Sequence, residues 1–231
     1  MTDFTEPTAY ERSWLEVVRA LDENPAIEVS YEHQGDVQLE ATDASGSFDD
    51  LEDWEGISLD RSLCELNIRF AELGRQWQTA GPHAWVAGEF HLTPLALLVH
   101  EDPPSFESSL HSEAERRVGA ELRVIDEGPV TGAGHFAAIR LQPGVGNPEV
   151  WYSDSHSRLW KMDLDYPGYL EALRITKGAY DWQHLFTEAP LGTEEYDRTP
   201  DRLADMLEAL PEIFPDHDYE PLRARLAERL R

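Results

Sequence analysis

Glu89 and His91 stand two residues apart in an apolar run that begins at Ala84 and continues through Phe90 to Leu92. Side chains on a strand alternate between faces, so the two share a face and are placed to supply a general acid and a general base in a cleft. A small hydrolase or ligand-binding enzyme built on Glu89, His91 and a histidine from a neighbouring strand is the catalytic reading that the sequence offers. The other combinations are weaker. Ser153-Asp154-Ser155-His156 gathers the residue types of a hydrolase triad, but neighbours in one turn cannot face each other as proton transfer requires. Asp163-Leu164-Asp165 before Gly168 begins like a calcium loop, yet Pro167 takes the third ligand position and Arg174 stands where the bidentate glutamate belongs. Gly132-Ala133-Gly134 with Ala137 is a degenerate dinucleotide fingerprint, followed by strand residues where a phosphate-binding helix must begin.

Nine histidines invite a metal, but none forms a two-histidine helical pair or a histidine-cysteine cluster. His83, His91 and His100 have loop and strand spacing, and Asp216-His217-Asp218 reads as a solvated turn. No catalytic residue, metal ligand or cofactor is therefore assigned. The single cysteine, Cys64, excludes an internal disulfide and suits a reducing cytoplasm. The N-terminus lacks a basic region followed by an apolar run, and no stretch approaches ~18 apolar residues, so neither a signal peptide nor a membrane span is expected.

Charge narrows the partner. With 46 acidic and 19 basic residues the net charge is −27, which repels nucleic-acid phosphates and anionic lipid. A basic protein is the partner such a surface attracts, although acidity also serves solubility alone. The densest run of acids is Asp49, Asp50, Glu52, Asp53 and Glu55, with Trp54 among them. These six, together with Glu89 and His91, are the candidate partner-binding residues, with Trp54 as an anchor among steering charges.

The elements that must position these residues follow from periodicity. Thr8 and Glu11 make a capping box before the apolar stripe Trp14, Leu15, Val17, Val18 and Leu21, so a first helix is expected. Ile27, Val29 and Tyr31 alternate, as do Val37 and Leu39 beyond Gln34-Gly35-Asp36, which reads as a hairpin. Ala41 to Glu55 reads as an exposed loop, Arg61 to Trp77 as a helix, and Ala84 to Phe90, Leu95 to Val99, Leu122 to Ile125 and Phe136 to Leu141 as strands. Val150 to Tyr152 and Leu159 to Met162 form a hairpin, Asp165 caps a helix closed by Gly178, and Tyr180 to Phe186 packs Trp182, Leu185 and Phe186 back onto it. Further helices start at Thr199-Pro200, ending before Pro211, and at Glu220. The arginines 223, 225, 229 and 231 on the last one pair with acids elsewhere.

The order of the hairpin, Asp165-Tyr166-Pro167-Gly168-Tyr169-Leu170 and Lys177-Gly178-Ala179-Tyr180-Asp181-Trp182-Gln183-His184-Leu185-Phe186 resembles the closing part of the SUKH superfamily. That superfamily groups bacterial toxin-immunity proteins with fungal cell-wall regulators of the Smi/Knr type. Trp54-Glu55-Gly56-Ile57, the Arg61 to Trp77 stretch and Gly88-Glu89-Phe90-His91-Leu92 follow a similar order, so the likeness spans Asp53 to Glu188. It implies an α+β fold with a mixed, mostly antiparallel sheet flanked by helices, and extra helices at both termini. Three parts are expected: an N-terminal helix and hairpin extension over residues 1–52, a SUKH-like domain over 53–190 and a helical extension over 191–231. The resemblance implies a non-enzymatic immunity protein that neutralises a cognate toxin, or a regulatory interaction protein of the same fold, with specificity carried by loops rather than by the aromatic core.

Overall fold

The structure is a computed structural model that describes residues 6–38, 41–106, 111–132 and 134–231. Seven strands form one open sheet in the order of the chain: β1 (Ile27–Gln34), β2 (Leu73–Thr79), β3 (Ala87–Leu92), β4 (Leu122–Glu127), β5 (Phe136–Arg140), β6 (Glu149–Ser153) and β7 (Leu159–Asp165). Every neighbouring pair runs antiparallel, and helices flank the sheet, so the expected α+β class holds. Helix α1 (Ala9–Asp22) lies over β1 and β2, while α5 (Tyr166–Thr176) lies over β6 and β7. Helices α2 (Ala44–Glu55), α3 (Leu95–Leu98) and α4 (Glu113–Gly119) fill the connections, and α6 (Thr199–Ile213) and α7 (Glu220–Arg229) close the chain. Among the described residues no helix is long and apolar enough to cross a membrane.

Local chemistry explains the elements that were read correctly. The Thr8–Glu11 capping box is present and turns Trp14, Val17, Val18 and Leu21 inward. Glu11 also reaches across the chain, where its two oxygens accept from Arg69 Nε at 2.8 Å and Nη2 at 2.7 Å in a buried bidentate pair. Asp165 caps α5 by accepting from Gly168 N at 2.9 Å. The aromatic segment is scaffold, with Tyr152, Tyr166, Tyr169 and Trp182 all buried. One apolar cluster runs from Trp14 on α1 to Leu226 on α7, so the core crosses the borders drawn after residues 52 and 190.

Several elements differ from expectation. β1 does not form a hairpin with the following segment: it pairs with β2, and within the intervening connection, residues 35–72, Val37 bridges Phe70, while Leu39 lies outside the described residues. Arg61 to Trp77 is a 3₁₀ turn (Arg61–Leu66) followed by β2, because Leu73, Arg75, Trp77 and Thr79 alternate inward with period two. Arg75 is buried there by pairing with Asp22 at 2.8 Å. Leu95 to Val99 forms the short α3, with Asn67 Oδ1 accepting from Ala96 N. Helix α6 runs past Pro211 to Ile213. The carbonyl that Pro211 leaves without its helical donor, Leu207 O, accepts from Arg223 Nη2 at 3.0 Å.

The sheet splits between β3 and β4, which share only the pair Leu92 and Asp126. The segment after α5 enters the gap: Glu89 N donates to Gly178 O and Tyr180 N to Ala87 O, both at 2.9 Å. This approach requires glycine at 88, since a Cβ there would stand 2.6 Å from Gly178 O.

Candidate functional site

The acidic run is a helix where a loop was expected. Asp43 accepts from Gly46 N at 2.8 Å to start α2, and Ala44, Ser47, Phe48 and Leu51 recur at helical spacing on its buried face. Gly56, with φ 69°, ends it. The period of 3.6 turns Asp49, Asp50, Glu52 and Asp53 away from that face, whereas Trp54 and Glu55 follow Leu51 by three and four residues in the last turn, and all six are exposed. Trp54 is 72% exposed, with the His100 ring 5.6 Å away. Asp49 pairs with Arg61, and Glu55 stands 3.6 Å from Arg123. The last turn of α2 has no basic residue, so Glu52, Asp53 and Glu55 sit at the negative end of the helix dipole, where acids cost stability.

Glu89 and His91 share a face of β3 as expected, but their contacts diverge. Glu89 is buried, and its two oxygens accept from Val130 N at 2.7 Å and Thr131 N at 3.1 Å. The carboxylate thereby ties β3 to the turn after β4, across the split in the sheet. It lines a cavity of about 160 Å³ with His135, Tyr152, Tyr180 and the Asp181–Arg202 pair, the latter 2.8 Å apart. Burial pushes His135 below the ordinary histidine range. A second carboxylate, Asp126, bridges the same split: it accepts from His91 N at 2.9 Å and from Tyr169 Oη at 2.6 Å. Burial pushes Asp126 up to about 7.

His91 instead turns toward His33 on β1, the two ring centroids being 4.6 Å apart. Glu72 Oε2 stands 3.8 Å from His33 Nδ1, and Glu127 Oε1 stands 3.5 Å from His91 Nδ1. The Glu127 carboxylate raises the His91 pKa against the effect of burial, whereas burial and the neighbouring His91 lower that of His33. His33, Glu72 and Glu127 were not singled out in the sequence. They lie on separate elements, so no local spacing announces them.

The remaining motifs are structural. Asp154 is buried, accepts from His156 N and Arg158 N at 2.9 Å, and receives Trp160 Nε1 and Tyr196 Oη on its other oxygen at 2.8 and 2.6 Å. It organises its own turn rather than orienting a histidine base. Gly132 and Gly134 have φ of 61° and 72°, turn geometry rather than a phosphate cradle, with Ala133 outside the described residues. Arg225 pairs with Asp163, while Arg229 Nε reaches His184 O at 3.4 Å, fastening α7 to the segment after α5.

The fold and site define an α+β chain with an antiparallel seven-stranded meander and an acidic, tryptophan-bearing helix on its surface. Compared with family models, curated proteins and solved structures, the chain matches none.

Proposed function

We propose that this chain is a non-enzymatic protein-binding module that presents the outer face of α2 to a basic protein partner. The observation that carries this reading is Trp54, 72% exposed among five carboxylates on one short helix. A large aromatic held in water is an unspent anchor, because interfaces concentrate their energy in buried Trp, Tyr and Arg. The surrounding acids steer a cationic partner and speed encounter. They are also placed against the helix dipole, where a helix selected for stability alone would carry lysine or arginine. The likeness of Asp53 to Glu188 to SUKH proteins makes the partner a toxin domain and the activity immunity, exercised in the cytoplasm. Glu89 supports this reading over the hydrolase, since both of its oxygens are committed to backbone amides.

The test is growth rescue by co-expression with the toxin-like protein encoded beside this chain. The wild-type chain restores growth, and Trp54→Ala combined with Asp53→Lys does not, although it accumulates and folds. An absent toxin gene, failure of the wild-type chain, or full rescue by the double variant defeats the proposal.

A further inference from the structure

The strand register sets a row of three residues across the sheet: His33 opposite Gly74, and Gly74 opposite His91. The middle position has no side chain, and a Cβ there would stand 2.1 Å from Phe90 O. Glycine is the residue this packing admits, and it leaves the two imidazoles open to each other from strands that are not neighbours. Glu72 lies two residues before Gly74 and so on the same side of the chain. One ligand atom from each of His33, Glu72 and His91 falls within 4.8 Å of the other two. His33 Nε2 and His91 Nε2 are buried without a hydrogen-bond partner among the described residues. Buried polar atoms ordinarily have partners, and orphaned ones mark a missing interaction.

We propose that His33, Glu72 and His91 bind one divalent transition-metal ion, with Zn²⁺ the working case. Two imidazoles and a carboxylate are a donor set that zinc accepts in tetrahedral geometry, a solvent molecule taking the fourth position. The edge of such a tetrahedron is roughly 3.4 Å for bonds of ~2.1 Å, so about 1 Å of side-chain adjustment closes the site. Glu72, whose side chain is 56% exposed, is free to make that movement. Glu127, at 3.5 Å from His91 Nδ1, is a positioning residue: a carboxylate on one nitrogen orients the ring and leaves Nε2 for the ion. The bound ion fastens β1 to β3 through side chains, across β2. The site is separate from α2 and does not depend on the partner.

The experiment is calorimetric titration of ZnCl₂ into the full chain, without a polyhistidine tag and after treatment with a chelator. One saturable equivalent is expected, with a rise in melting temperature. His33→Asn combined with His91→Asn abolishes the equivalent, and Glu127→Gln weakens it roughly 10- to 100-fold, as loss of an outer partner does. His83→Asn leaves it intact, although His83 also stands beside a carboxylate, Glu212 at 3.4 Å. Absence of saturable binding by the wild-type chain, or binding retained by the folded double variant, overturns the proposal. If the double variant does not fold, Co²⁺ added to the wild-type chain decides. Intense visible bands of a four-coordinate site support the assignment, and the unchanged spectrum of hydrated cobalt overturns it.

Discussion

Glu11 shows how one side chain can serve two levels of structure. It closes the capping box of α1 and anchors Arg69, and it is fully buried. Burial raises its pKa, but the Arg69 guanidinium and the amides of Thr8 and Arg69 outweigh that and hold it below the usual carboxylate range. Glu11→Ala is expected to cost about 3–5 kcal/mol, the toll of breaking a buried pair, read as a lower urea midpoint; a change within error would mean the pair is incidental. Lys177 has the opposite character. Burial pushes it down to about 8, while the unfolded chain keeps an ordinary lysine near 10.4. Between those values the unfolded state holds the proton and the folded state does not, so this residue's contribution to stability rises with pH through that window. The wild-type chain should therefore gain on Lys177→Met when urea midpoints are compared at about pH 7 and about pH 9.5. Parallel curves would contradict the assignment.

At the scale of elements, α2 matters most. Its acids oppose the dipole of their own helix, so Asp53→Lys is expected to stabilise the chain by about 0.3–1 kcal/mol while weakening partner binding. Differential scanning calorimetry beside a binding assay checks both; destabilisation would remove the claim that the charges serve recognition at the expense of the fold. The same helix shows where sequence reading failed. Its run of acids with Gly46 and serines resembles a loop, and only Phe48 and Leu51, buried with Ala44 and Ser47, reveal the helical face. β2 failed for a related reason. Arg75 interrupts its apolar alternation, and its inward placement depends on Asp22. The elements read correctly carry their signals locally: the Thr8 box, the Asp165 cap and the β6–β7 hairpin. The candidate partner residues were legible as a contiguous run, whereas His33, Glu72 and Glu127 meet His91 only through strand pairing that no sequence spacing encodes.

At the scale of the whole molecule, one apolar core joins a seven-stranded meander to its helices, and a net charge of −27 surrounds it. The core explains why the aromatic segment is scaffold, and the charge explains why a cationic partner would find the chain quickly at low salt. The most direct measurement is the affinity of the purified chain for a basic toxin domain of the proposed kind, compared with that of Trp54→Ala. The account predicts tight binding by the wild-type chain that weakens with added salt, and a loss of about 2 kcal/mol or more for the variant, the scale of an interface anchor. Equal affinity of the two chains, or no binding by either, would contradict it.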